Sequence, residues 1–208
     1  MPTPRNYRGK SPQERKEARR LSILQAAMSV YAEIGYRAAT VQAICDAAGL
    51  TKRYFYESYR DSSELLEACF RVSVGELIDE LRAYAGEQEN ADPRARTRAI
   101  LVRYFEALRD DPGPSRLFLV DAEGVSPGVT KAMHDAERAM ADLLVPVELF
   151  PEDDARVSLF RLGAVSGIAR ISSLWIAGNC ALPVDDVVES GLSLFGSVLQ
   201  PPSTAARA

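Results

Sequence analysis

Histidine is nearly missing from this 208-residue chain, which has one, and cysteine is scarce at three. Cys45, Cys69 and Cys180 stand too far apart for metal-ligand spacing, and their odd number argues against a secreted disulfide framework. No nucleophile–base pair and no phosphate-cradling glycine loop is visible, so an enzyme is not expected. His134 and Glu137 could form only half a metal site, without a complementary His or Cys nearby; a solvated histidine is the plainer reading. Neither a metal nor a cofactor is expected. Long hydrophobic runs are lacking too. The least charged stretch, Val157 to Cys180, is interrupted by Arg161 and Arg170. Its uncharged pieces fall short of the roughly 18 residues that a membrane span needs. No apolar segment of the signal-peptide kind follows the basic N-terminus. Together these absences suggest a cytoplasmic protein with free thiols and no membrane partner.

What is present is an ordinary globular composition, 47% hydrophobic and 26% charged, of a length that suits one or two domains. The net charge of −4 conceals a split: residues 1–60 carry +6 and the remainder −10. A basic head on an acidic body suggests that the head meets a polyanion. Arginine outnumbers lysine 21 to 4, a weak hint of a GC-rich bacterial genome.

Helical periodicity dominates, and strand signals are nearly absent. From about Gln13, apolar residues recur as Ile23, Ala27, Val30, Tyr31 and Ile34, and Gly35 stops the run. Thr40 can cap a short helix with Val41, Ile44 and Ala48 inside, ended by Gly49; a third runs from near Thr51 to Tyr59. Longer helices follow: Leu66 to Tyr84, closed by Gly86; one opened by Asp92-Pro93; and one opened by Pro127. Two more are expected over residues 152–182 and 184–199, and Pro112 and Pro114 should break the chain between helices. The fold expected is all-α, an N-terminal three-helix helix-turn-helix domain followed by a C-terminal helical bundle. Its divisions are a mobile basic arm at 1–14, the helix-turn-helix at 15–60, the bundle at 61–200 and a disordered tail at 201–208.

The sharpest signal lies in residues 40–59. Two short helices joined by Ala48-Gly49-Leu50-Thr51 make a helix-turn-helix, whose second helix enters the major groove of DNA. With Phe55 and Tyr59 inward, Arg53 and Glu57 point outward and Tyr54 and Tyr56 lie on the flanks. Arg53 could bond bidentately to guanine and Glu57 could accept from cytosine; alternatively the two pair with each other at i,i+4. Thr51, Lys52 and Tyr56 suit phosphate oxygens, and Thr40 either does the same or simply caps its helix. Half-burial against the first helix is the alternative for Tyr56. Arg5, Arg8, Lys10, Arg15, Lys16, Arg19 and Arg20 could follow the DNA backbone or merely solvate a tail.

At these residues the segment from Arg20 to Leu66 resembles the DNA-binding domain of TetR-family transcriptional regulators. The resemblance rests on Gly35-Tyr36, Thr40, Ala48-Gly49-Leu50-Thr51, Phe55-Tyr56, Tyr59 and Leu65-Leu66. Two departures matter: Arg53-Tyr54 stands where many members have Gly-Thr, and Arg60-Asp61-Ser62 replaces a Pro-Ser-Lys. The family's phosphate-binding lysine is therefore missing; Arg60 could substitute for it, or the contact is simply absent.

The resemblance implies a homodimer bound to a double-stranded operator, repressing rather than activating, and released by an unknown small-molecule effector in the body. Tyr104, Phe105, Phe118, Met133, Met140, Phe160 and Trp175 are candidate cavity walls, with ordinary core packing as the alternative. Arg161 and Arg170, charged groups in an apolar helix, each need a partner, an acidic ligand group or an internal carboxylate. Nine residues apart, they project from opposite faces. Gly163 and Gly167, with Val188, Leu192, Phe195 and Leu199, suggest a helix-pair surface for dimerisation, internal packing being the alternative. Two other readings stay open: a helical protein-interaction module, and a regulator that binds DNA without a ligand.

Overall fold

A computed structural model describes residues 11–88, 91–122, 124–145 and 155–196. Every element in them is helical. They are α1 (Pro12–Ile34), α2 (Val41–Ala48), α3 (Lys52–Ser58), α4 (Ser62–Glu87) and α5 (Pro93–Asp110). Next come α6 (Pro112–Arg116), which continues as a π-helical turn over Leu117–Asp121, then α7 (Pro127–Leu144), α8 (Ala155–Ala177) and α9 (Val184–Ser193). The all-α expectation is met.

Local chemistry sets most helix starts. Ser11 and Glu14 form a reciprocal capping box at α1; Thr40 accepts from the Ala43 amide, Asp61 from those of Ser63 and Glu64, and Ser126 from that of Val129. Asp92 accepts from the Ala95 amide ahead of a proline at the first helical position. Some expectations are corrected. Residues 12–14 are helical, so an arm could lie only in residues 1–10, outside the described ones. Gly86 does not close α4, which runs on to Glu87. Pro112 opens a helix because its ring suits a first turn, where its missing N–H is not needed. α8 ends at Ala177, where Asn179 and Cys180 take positive φ, and α9 ends at Ser193. The expected stretches 152–154 and 197–199, and the tail, fall outside the described residues.

The side chains form two hydrophobic cores. The first joins Ile23, Tyr31, Ile44, Phe55 and Tyr59 to Leu65, Leu66, Cys69 and Phe70 of α4, and to Phe118 and Val129 farther on. The helix-turn-helix therefore shares its core with α4, α6 and α7, and packing leaves no seam at residue 60. The second gathers Ile78, Leu81, Leu101, Phe105, Met140, Ile168, Trp175, Val188 and Phe195 from α4, α5, α7, α8, α9 and the turn after α9. α7 contributes to both, and so does α4. Its 26 residues span about 39 Å at the α-helical rise. Over Val157–Ala177, α8 is long and apolar enough to cross a membrane by length and composition. In this fold its inner side, with Val165, Ile168 and Trp175, belongs to the second core.

Candidate nucleic-acid interface and body cavity

Two buried rings and three contacts with Arg20 hold α3 to the first core. Phe55 and Tyr59 are buried, with ring centroids 6.1 Å apart. Arg20 of α1 donates from Nη1 to the Ser58 carbonyl at 2.9 Å, and its guanidinium lies 4.5 Å from the Tyr59 ring centroid. In return the Tyr59 hydroxyl donates to the Arg20 carbonyl at 3.3 Å. Burial, opposed by nearby Arg20, pushes the Tyr59 pKa up to about 12, so the phenol stays a neutral donor. The turn into α3 needs Gly49, which takes φ 65 and ψ 30 while the Leu50 amide reaches back to the Cys45 carbonyl at 2.9 Å.

The opposite side of α3 is open. Lys52, Arg53, Tyr56 and Glu57 are exposed, Tyr56 at 59%. Thr51 occupies the cap position but makes no side-chain capping bond, whereas Thr40 caps α2. Arg53 and Glu57 pair at 2.9 Å across one turn, and Arg60 pairs likewise with Glu64 at 3.0 Å. Tyr54, not Tyr56, is the tyrosine half-buried toward α1, with the Arg19 guanidinium 4.5 Å above its ring. Arg19 and Arg20, read from sequence alongside the arm, thus brace α3. Arg5, Arg8 and Lys10 lie outside the described residues.

A cavity of about 490 Å³ lies in the body, walled by α4, α5, α6 and its π-helical turn, α7 and α8, with Met28 of α1 also lining it. Its walls come from both cores: Phe70 and Phe118, edge to face at 5.3 Å, from the first, and Tyr104, Met140 and Ile168 from the second. Of the nine cavity residues expected from sequence, Tyr104, Phe118, Met133 and Met140 line it. The other five do not. Phe105 packs edge-on against Trp175, whose indole donates to the Leu182 carbonyl at 2.9 Å, and Phe160 flanks the second core. Arg161, 7% exposed, donates from Nη2 to Asp142 at 2.5 Å, with its Nε unpartnered, while Arg170 is exposed. Sequence reasoning missed Val74 and Leu77 of α4 and Val165 and Ile168 of α8 as walls. Val74 and Leu77 continue the Phe70–Leu81 stripe of α4 at helical spacing and also pack against the cores, so no separate signal marked them as walls. The Tyr104 hydroxyl is committed, donating to Ser172 Oγ at 3.1 Å, and burial pushes its pKa up to about 12.

The expected dimer surface is redrawn. Val188, Leu192 and Phe195 are buried in the chain's own second core, because α9 packs that face on α5 and α8. Gly167 serves the same packing: a Cβ there would lie 2.8 Å from Leu194 Cδ1. Gly163 stands open, on an outward stripe of α8 with Leu159 (73% exposed), Ser166, Arg170 and Leu174 (57% exposed). Leu199 lies outside the described residues. His134 is exposed, and no group of three or more metal-ligating side chains comes together among the described residues.

Comparison with known proteins adds a family likeness to this geometry. Residues 23–69, spanning most of α1 through the start of α4, match the family of bacterial regulatory proteins, tetR family. The HTH-type transcriptional activator FasR of Mycolicibacterium smegmatis is 25% identical over 178 residues, 84% of this chain and 80% of that protein. The HTH-type transcriptional repressor KstR2 of Rhodococcus jostii is 29% identical over 93 residues, 45% of each chain. In fold, the regulator FadR of Bacillus subtilis, solved in complex with stearoyl-CoA, superposes with a TM-score of 0.68 at 17% identity. That match covers 86% of this chain and 98% of FadR.

Proposed function

We propose that the chain is a transcriptional regulator of the tetR family, acting as a cytoplasmic homodimer that represses by occupying an operator until a small molecule releases it. The observation that carries the DNA-binding part is the open face of α3, held rigidly from behind by Arg20, Phe55 and Tyr59. Arg53 and Glu57 would exchange their mutual pair for base edges, and Lys52, Thr51, Tyr56 and Arg60 would take phosphates, with Tyr54 at the flank. Thr40 is given to capping. Two recognition helices are needed to span two half-sites, and the outward stripe of α8 around Gly163 and Leu174 supports a dimer surface there.

Release follows from where the cavity sits. Its walls belong to both cores and α4 threads both, so a ligand that fits better when the cores are slightly rotated shifts the dimer toward that arrangement. The paired α3 helices then no longer match the groove spacing. FasR, a relative along most of this chain, is an activator, which supports a second reading: the same protein raises transcription from a site that does not block the promoter. Footprinting on the DNA upstream of the gene, with a promoter reporter, tests the proposal. The expected result is one protected two-fold-symmetric site, lost in Leu174→Arg, with reporter output rising on deletion of the gene. A footprint retained by a monomeric Leu174→Arg protein, or no footprint, would overturn it; a fall in output would select activation.

A further inference from the structure

We propose that the body cavity takes an amphiphilic cation, an alkyl chain bearing an ammonium-type head, and not an anionic acyl thioester. This deepens the ligand-release reading above and depends on it. The cavity walls have apolar and aromatic parts from Phe70, Leu77, Tyr104, Phe118, Met140 and Ile168, which suit a hydrocarbon chain. The charged groups lining the same cavity are one-sided: Glu76, Glu80, Asp110, Asp111 and Glu137 against Arg103. Arg103 is not free for a ligand anion, because its Nε and Nη2 both bond Glu80, the former at 2.7 Å. Asp110 is paired with Arg109, at 3.1 Å. Among the described residues the exposed Glu76 and Asp111 and the half-buried Glu137 have no cationic partner; Glu137 accepts a hydroxyl, that of Ser166 at 3.2 Å.

The neutral donors are spoken for as well. The Tyr104 hydroxyl is given to Ser172, the Ser115 hydroxyl to the Asp111 carbonyl at 2.8 Å, and the Ser73 hydroxyl, more weakly, to Met28 Sδ at 3.9 Å. A carboxylate or phosphate entering this cavity would find like charge and no unengaged guanidinium or ammonium among the described residues lining it. A cation would find unpaired carboxylates and three aromatic rings, whose faces attract positive charge. A thioester of coenzyme A, with its phosphates, is the least suited occupant, although the fold is shared with FadR, which was solved with stearoyl-CoA.

Calorimetric titration of the full chain with decyltrimethylammonium, decanol, decanoate and lauroyl-CoA, all below micelle-forming concentration, tests this. The cation should bind at least tenfold tighter than decanol, and decanoate and lauroyl-CoA weaker than decanol. Glu76→Gln combined with Glu137→Gln should weaken the cation by roughly tenfold or more and leave decanol unchanged. Leu77→Trp, which fills the cavity, should weaken cation and decanol alike and so locates both. Tighter binding of decanoate or lauroyl-CoA, lost in Leu77→Trp, would overturn the cation assignment while leaving the cavity as the effector site. Failure of all four probes to bind in a Leu77-dependent way would overturn both.

Discussion

Replacing Arg20 by alanine separates a structural brace from a DNA contact, two roles that its position in a basic segment makes easy to confuse. In the folded chain the half-buried guanidinium donates to the Ser58 carbonyl at 2.9 Å and covers the Tyr59 ring at 4.5 Å. A hydrogen bond from a charged donor contributes about 1.5 kcal/mol net, and a partly exposed cation–π contact about 0.5 kcal/mol. Arg20→Ala should therefore cost about 2 kcal/mol, which for a chain of this size lowers Tm by roughly 4–8 °C. Thermal and urea unfolding measure that loss, and gel-shift titrations across salt measure the other role. A brace leaves the slope of log affinity against log salt unchanged, whereas removing a phosphate contact reduces it by about one. Lys52→Ala is the paired control, with unchanged Tm and a shallower slope. An Arg20→Ala protein of unaltered Tm and shallower slope would refute the assignment.

Three further outcomes follow from the same contacts. Asp61→Ala removes the α4 cap and should cost about 1 kcal/mol in urea unfolding at neutral pH. The Ser63 hydroxyl and the Glu64 amide hold the Asp61 carboxyl below its usual 3.8, so its contribution is complete above that value. It disappears as pH falls through the lower folded value, and the variant's acid limb should be flatter there. Gly49→Ala puts a Cβ at φ 65 and should cost about 1 kcal/mol, with weaker DNA binding because α3 is misaimed. Asp142→Ala leaves buried Arg161 without its partner and should cost about 2 kcal/mol, tempered because Asp142 itself is exposed; Arg161→Met should be neutral or stabilising. Chemical denaturation checks both.

Features set by neighbours in sequence were legible before any coordinates. Thr40, Asp92-Pro93 and Pro127 act within one turn of themselves, so the local sequence contains the whole interaction. Direction on a single helix was legible for the same reason: the 100° step puts Phe55 and Tyr59 inward and Arg53 and Glu57 outward. The cavity was not, because its walls come from elements far apart in the chain, from Met28 of α1 to Ile168 of α8. Nothing in the pair Tyr104-Phe105 says which ring faces the hollow and which meets Trp175; that depends on where α8 lies. The dimer face misled for a related reason. Val188 and Leu192 form a convincing apolar stripe, but a stripe does not name its partner, and here the partner is the chain's own α5 and α8. Arg161 announced a need for a counter-charge without showing that Asp142 supplies it.

The most direct test of the central claim is the affinity for upstream DNA as salt is raised, compared between the native chain and Arg53→Ala/Tyr54→Ala/Tyr56→Ala. The account predicts tight native binding that falls steeply with salt, and a folded triple variant whose specific binding is lost while weak nonspecific binding remains. A triple variant that binds the same site as tightly as the native chain, or native affinity indifferent to salt, would contradict it.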